Sequence, residues 1–183
     1  PKENKPIGNE IYLDGKSSKR ISEILIPSKF NHVSINTAKN VNDCLDLFKL
    51  HNEKENVKNS FNQKKEKFKN HIKWLKKKKF SKKSHIFIFR VNGLCVGQVR
   101  VDIIKKGLGL IDYSLDKIFR GRGWGKLILS QAMKKITQIK NINEFQAKVK
   151  KTNIRSAKIF KNLYFLEKNK KKYFEFNKRV AVR

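Results

Sequence analysis

The apolar positions of this chain change their spacing several times, and each change marks an element. Val33-Ser34-Ile35 alternates as a strand does, and Val41, Leu45 and Phe48 follow at helical spacing. Phe61, Phe68, Ile72 and Leu75 fall on one face of a helix running from Phe61 to Lys79, with lysines over its other faces. His85 to Val91 and Cys95 to Ile103 are rich in β-branched and aromatic residues. The Asn92-Gly93 pair between them predicts a tight antiparallel hairpin, because both residues tolerate the positive φ that such a turn requires. A third run, Gly109 to Leu115, leads into a glycine-rich loop and then a helix from about Trp124 to Ile139. Phe145 to Val149 reads as a strand, Asn153 to Leu163 as a helix, and Phe165 to Glu167 with Tyr173 to Phe176 as a closing hairpin. This order predicts an α/β fold with a central mixed, mostly antiparallel sheet flanked by helices.

Residues 1–31 break the pattern. They are polar, interrupted by Pro6, Gly8, Gly15 and Pro27, with one short apolar helical stretch at Ile21, Ile24 and Leu25. They read as a linker or the tail of an upstream domain, leaving 32–183 as a single globular unit. A total of 183 residues suits one domain plus an appendage. The chain begins at Pro1 rather than Met, which suggests a piece of a longer polypeptide. No apolar run approaches the roughly 20 residues needed to span a bilayer, and the first residues are too polar for a signal peptide. Cys44 and Cys95 lie far apart without metal-ligand spacing, so neither a disulfide framework, a zinc site nor any other metal is expected. A cytoplasmic location without membrane contact follows from these features.

Charge narrows the partners only coarsely. Forty-five Lys and Arg against 15 Asp and Glu give a net charge of +30, which favours anionic partners. Nucleic acid, a membrane surface and a phosphorylated small molecule all fit. Because the excess is mostly lysine, alongside many Asn and Ile, a biased genome composition could supply much of it.

The most informative segment is Arg120-Gly121-Arg122-Gly123-Trp124-Gly125, between a strand and a helix. Glycines there let successive backbone N–H groups turn toward an anion, and the helix N-terminus adds a favourable dipole. A P-loop is excluded: the spacing is one residue short, and Leu127 stands where a magnesium-binding hydroxyl belongs. A dinucleotide fingerprint fails for want of the right spacing and of a parallel βαβ unit.

With Arg120 to Gly125, and with Asn153-Ile154-Arg155-Ser156-Ala157 after the fifth strand, the chain resembles the GNAT superfamily of N-acetyltransferases over roughly His32 to Asn177. The resemblance implies the GNAT fold and acetyl-CoA as co-substrate. It implies that Arg120, Gly121, Arg122, Gly123, Trp124, Gly125 and Lys126 form the loop whose amides hold the pyrophosphate. Tyr113, Ser114 and Leu115 would line the pantetheine arm, with an amide near Leu115 as oxyanion donor, and Asn153 and Ser156 would contact the coenzyme. The family's usual acid is a Tyr where this chain has Phe160, which cannot donate a proton. Tyr164, in the place of the family's usual Gly, is either a substitute acid or a helix-end packing residue. Asp112 shares a strand face with Ser114 and is either the base or a solvated side chain. Cys95 reads as core packing.

A narrower resemblance rests on Leu50-His51-Asn52-Glu53, His71-Ile72-Lys73-Trp74 and Gly97-Gln98-Val99-Arg100. These are similar to acetyltransferases of bacterial sialic-acid-like sugar pathways, notably those acting on nucleotide-sugars in pseudaminic acid synthesis. Asn52, His71, Trp74 and Arg100 are then the expected substrate-binding residues, with Arg100 and nearby lysines facing the nucleotide phosphates. The implied acceptor is a UDP-linked amino-dideoxy sugar of the UDP-4-amino-4,6-dideoxy-N-acetyl-altrosamine type. Ile11 to Ile21 is similar to the closing segment of that pathway's UDP-sugar hydrolase, which would make the chain the C-terminal half of a fusion. Two alternatives stand: a protein N-acetyltransferase of the ribosomal-protein type, and a non-catalytic nucleic-acid-binding domain suggested by Lys76 to Lys79 beside Phe80. The second leaves both coenzyme motifs unexplained. Oligomeric state has no signal in the sequence.

Overall fold

The computed structural model describes residues 33–38 and 40–181. The expected linker, its hydrolase-like stretch and the domain boundary at residue 32 lie outside those residues. In chain order the elements are β1 (Ser34–Thr37), α1 (Val41–Asn52), α2 (Lys54–Asn59), α3 (Phe68–Phe80), β2 (Ser84–Val91), β3 (Leu94–Lys105) and β4 (Leu108–Leu115). A single 3-10 turn, Lys117–Phe119, then leads to α4 (Trp124–Ile139), β5 (Glu144–Lys150), α5 (Ile154–Asn162), β6 (Leu166–Asn169) and β7 (Tyr173–Arg179).

The seven strands form one sheet in the order β1-β2-β3-β4-β5-β7-β6. Every pairing is antiparallel except β4 with β5, so the sheet is mixed and mostly antiparallel. The β2–β3 turn closes on Asn92 at φ 48° and Gly93 at φ 79°, the geometry the dipeptide favours.

Strand alternation sends successive side chains to two separate cores. Phe87, Phe89, Val99, Ile111, Leu115, Phe145 and Phe176 pack against α4 and α5 through Ile128, Leu129, Ala132 and Phe160. Ile86 and Ile88, on the opposite face, pack against α1 and α3 through Cys44, Leu47 and Leu75. The helices thus divide the molecule into an α4/α5 side and an α1/α3 side.

Three local expectations are corrected. The helix expected from Phe61 begins only at Phe68, and Phe61 is 56% exposed. Residues 61–67 offer nothing apolar after Phe61, and they form a loop held by other bonds. Gln63 N–H donates to Ser60 Oγ at 3.1 Å, and Asn52 donates to and accepts from the Glu66 backbone at 3.0 and 2.7 Å. Helix α1 turns a different face inward: Val41 and Leu45 are 72% and 38% exposed, while Asp43, Cys44, Leu47 and Leu50 are buried. Asp43 fixes that rotation. Its carboxylate closes a capping box with Asn40 and accepts from Arg90 at 2.9 Å, so it must face the sheet. The short helix α2 was not anticipated, since it buries no side chain that would give it a pattern.

Candidate active site

The parallel pair β4–β5 does not stay closed. Its register runs from Leu108↔Glu144 to Ile111↔Ala147 and stops, although β4 continues to Leu115 and β5 to Lys150. Residues 112–115 pair with β3 on one edge and with no strand on the other. The opening is the throat of a cleft of about 1060 Å³ reaching both faces of the sheet.

On the α4/α5 side the glycine loop borders the cleft. Gly121 and Gly123 have φ of +74° and +86°, left-handed values that explain glycine at both positions. Gly125 is glycine for another reason: a Cβ there would stand 2.6 Å from Ile159 Cδ1, so it lets α4 approach α5. The first amides of α4 have no intrahelical acceptor, and they open onto the end of the cleft lined by Gly121, Gly123, Gly125 and Lys126. The loop can therefore receive a phosphate. Trp124 contributes backbone only, its indole being fully buried 5.5 Å edge-on from Phe119. Arg122 does not line the cleft.

Arg120 also lines the cleft, and protein groups engage its side chain. Its guanidinium reaches Glu53, Glu55 (2.6 Å), Asn56 Oδ1 (3.0 Å) and the Leu115 carbonyl (3.0 Å). Asn56 Nδ2 donates to that same carbonyl at 3.3 Å. Burial pushes the Glu53 carboxyl up, but hydrogen bonds from Arg120 and from the Glu55 and Asn56 amides outweigh it and hold the group below its usual range. Arg120 thus ties the α1–α2 junction to the end of β4, and it holds the opened strand in place.

Asn153 caps α5, accepting from Ser156 N–H at 3.2 Å. The Ser156 side chain neighbours the Tyr113 hydroxyl. Burial outweighs the lowering effect of that neighbour and drives the phenol up to about 12, so it stays protonated. The Tyr113 ring lies 5.9 Å edge-on from Phe160, the residue that stands where a proton donor was expected. Tyr164, by contrast, is 83% exposed, has φ +59° and does not line the cleft. It occupies a left-handed helix-end position, which accounts for the glycine expected there, and its side chain is directed away from the site.

The α1/α3 side holds a different set. Asp112 lines the cleft, accepting from Gln98 Nε2 at 3.4 Å and facing Arg100 Nη2 at 3.5 Å. Arg100 also donates to Asp102 at 3.0 Å and lies 5.6 Å over Trp74. Two carboxylates and an indole engage this guanidinium, so it braces the wall of the cleft that it lines. His71 and Trp74, 5.2 Å apart, both line the cleft. Burial first, and the neighbouring His51 second, bring the His71 imidazole down to about 4, so it is neutral near pH 7. Asn52 does not reach the cleft, because its amide is spent on the Glu66 backbone. His51, one residue earlier and 5.9 Å from His71, lines it instead. Helical spacing from the buried Leu47 would have selected His51 over Asn52.

Cys95 is no activated nucleophile, since burial pushes its thiol up to about 12. Among the described residues no group of His, Cys, Asp or Glu is placed to hold a metal ion, and no helix is long and apolar enough to cross a membrane.

The arrangement can hold a phosphorylated, extended ligand from the α4/α5 side and a second molecule from the α1/α3 side. Comparison with known proteins agrees with that geometry. Residues 37–165 match the family model described as the acetyltransferase (GNAT) domain. No curated protein sequence matches the chain. Among solved structures, the Campylobacter jejuni N-acetyltransferase PseH in complex with acetyl coenzyme A is 15% identical, with a TM-score of 0.65 over 82% of this chain and 100% of that one. The ribosomal L7/L12 alpha-N-protein acetyltransferase RimL in complex with coenzyme A is 14% identical, with a TM-score of 0.72 over 84% and 97%. The Vibrio cholerae spermidine N-acetyltransferase in complex with CoA and spermine is 13% identical, with a TM-score of 0.72 over 84% and 97%. At these identities the likeness is one of fold, and the three acceptors named differ in kind.

Proposed function

From the premise that this chain belongs to the acetyltransferase (GNAT) family, we propose that it transfers an acetyl group from acetyl-CoA to the amine of a UDP-linked amino-dideoxy sugar, as in pseudaminic acid synthesis. The observation that carries the reading is the two-sided cleft at the parting of β4 and β5, with a phosphate-receiving loop on one side and Asp112 on the other.

Acetyl-CoA would supply the acetyl group as a thioester, and the reaction forms the amide N–C bond, breaks the C–S bond and releases a thiol. The amides of Gly121 to Lys126 hold the pyrophosphate, and the unpaired edge of residues 113–115 receives the pantetheine as a strand would. Asp112 orients the acceptor ammonium and takes the proton it must lose to become a nucleophile. Tyr113 donates a hydrogen bond to the leaving sulfur, in place of the donor that Phe160 cannot be. A thiol has an ordinary pKa near 8.5, so it leaves readily as thiolate and takes its proton from solvent, while a phenol held near 12 keeps its own proton and steadies the departing charge. Ser156 is the polar neighbour of that hydroxyl.

The acceptor wall suits a hydroxylated ring. His71 is neutral, His51 and His71 each carry a buried Nε2 with no protein partner, and Gln98 and Asn70 add amides. A polyamine is disfavoured by lysines on the acceptor side, where Lys148 and Lys150 line the cleft. A protein N-terminus is the second reading, supported by the RimL fold likeness, and a basic target peptide meets the same repulsion. The test mixes protein, acetyl-CoA and a UDP-linked amino sugar and titrates released thiol, with spermidine and an acidic peptide as competing acceptors. Release with the sugar alone supports the assignment. Thiol no faster than hydrolysis with the sugar, but brisk release with peptide or polyamine, removes it.

A further inference from the structure

With Arg100 occupied, the nucleotide end of the proposed acceptor needs another site, and the molecule carries one beside the cleft. A shallow recess of about 570 Å³ is bounded by Phe61, Lys148, Lys171, Lys172 and Tyr173. Phe61 and Lys148 also line the main cleft, so the two spaces are continuous.

The recess lies on the acceptor side. Along β5, Phe145, Ala147 and Val149 enter the α4/α5 core, so Lys148 points to the opposite face. Along β7, Phe174 and Phe176 enter that same core, so Tyr173 also points away from it. Asp112, between Ile111 and Tyr113, shares their face. The expected coenzyme contacts at Gly121 and Gly123, in the loop before α4, and at Ser156, in α5, lie on the other side.

Its chemistry is specific. Phe61 and Tyr173 meet edge to face, centroids 5.9 Å apart at 89°, making an aromatic corner whose Phe61 wall is open to solvent. Lys148 Nζ stands 5.6 Å over the Tyr173 ring. Lys171 and Lys172 project from the β6–β7 turn, and none of the three lysines has a carboxylate partner among the described residues. Three unneutralised ammonium groups beside two rings match an anion joined to a flat base. Closed strand spacing and about two residues of rise would put Asp112 and Tyr173 roughly 12 Å apart, and the parting of β4 from β5 makes that a lower bound for the sugar and diphosphate to span.

We propose that the Phe61–Tyr173 corner with Lys148, Lys171 and Lys172 binds the nucleoside diphosphate of the acceptor while its amine lies at Asp112. This rests on the nucleotide-sugar reading above. It also assigns Phe61 and the 61–67 loop a use that the core does not give them.

The test is calorimetric titration of UDP, and separately of inorganic pyrophosphate, into full-length protein saturated with coenzyme A, so that the coenzyme site is blocked. Wild type is expected to bind both. The double variant K171E/K172E should weaken both by about ten-fold or more, and Tyr173→Ala should weaken UDP by a similar factor while sparing pyrophosphate. Affinity for coenzyme A should change less than about two-fold. These residues are surface residues, and matching melting temperatures establish that the variants fold. UDP binding that the variants leave intact overturns the subsite and leaves the nucleotide-sugar reading standing. Coenzyme A affinity falling in parallel assigns the recess to the coenzyme and overturns the proposal. Absence of UDP binding to wild type at millimolar concentration removes the nucleotide-sugar reading, and the subsite with it.

Discussion

Consecutive side chains on a strand point to opposite faces, so β4 offers one residue to each half of the cleft, and in the proposed reaction Asp112 serves the acceptor and Tyr113 the coenzyme. Separate roles predict separable defects. Asp112→Asn should lower kcat/KM for the amine about 100-fold, with KM for acetyl-CoA unchanged. Tyr113→Phe should lower kcat about 10- to 100-fold, while Tyr164→Phe leaves it intact; the reverse pattern would return the acid to Tyr164. His71 makes a prediction of a different kind. Its folded pKa, about 4, lies below the ordinary value of 6.5, so the unfolded chain takes up the proton more readily. The stability contributed by a neutral His71 is present above pH 6.5 and is lost as pH falls toward 4. Thermal midpoints should therefore drop between pH 7 and pH 5, and drop less in His71→Gln. Some slope should survive, because burial lowers His85 in the same direction. At this scale the sequence revealed residue types and faces but not engagements. Arg100, Arg120 and Asn52 all stand in quoted motifs, yet each is consumed by neighbours that only the folded chain supplies.

Elements were the most legible level. Helix α4 begins and ends where its periodicity does, and the Asn92-Gly93 hairpin and the β6–β7 hairpin form as read. Those segments have local causes: amphipathic spacing, a turn dipeptide, a left-handed glycine. The parting of β4 from β5 has none, since each strand reads as continuous past Ile111 and Ala147. It depends on what fills the space between them and on the Leu115 carbonyl being held by Arg120 and, from α2, by Asn56. The 61–67 loop is a similar case. A lysine-rich run continued the helical pattern on paper, but with nothing to bury it was left to Asn52 to order the segment. Asn52→Ala removes both bonds to the Glu66 backbone and frees the loop that carries Phe61. KM for the acceptor should rise several-fold, with acetyl-CoA affinity unchanged and a stability loss of about 1–3 kcal/mol. Unchanged acceptor kinetics would mean that the loop's placement does not matter to the site.

For the whole molecule, the net charge of +30 acts in two opposite ways that one titration separates. Self-repulsion of like charges works against the compact state, so screening should stabilise the fold. The same field concentrates anionic ligands near the cleft, so screening should weaken their capture. Raising salt from 10 mM to 1 M shortens the screening length from about 30 Å to about 3 Å. The melting temperature should then rise while KM for acetyl-CoA and for an anionic acceptor rises several-fold, with kcat nearly constant because a bound substrate no longer depends on long-range capture. A nucleic-acid binder of this charge would behave differently: with several phosphates contacted, counterion release would erase its affinity by orders of magnitude over a much narrower salt range. A melting temperature that falls instead would show that the ion pairs around Arg90, Arg100 and Arg120 outweigh the repulsion of the lysines. The basic surface would then be a tolerated product of composition rather than an opposing load on the fold.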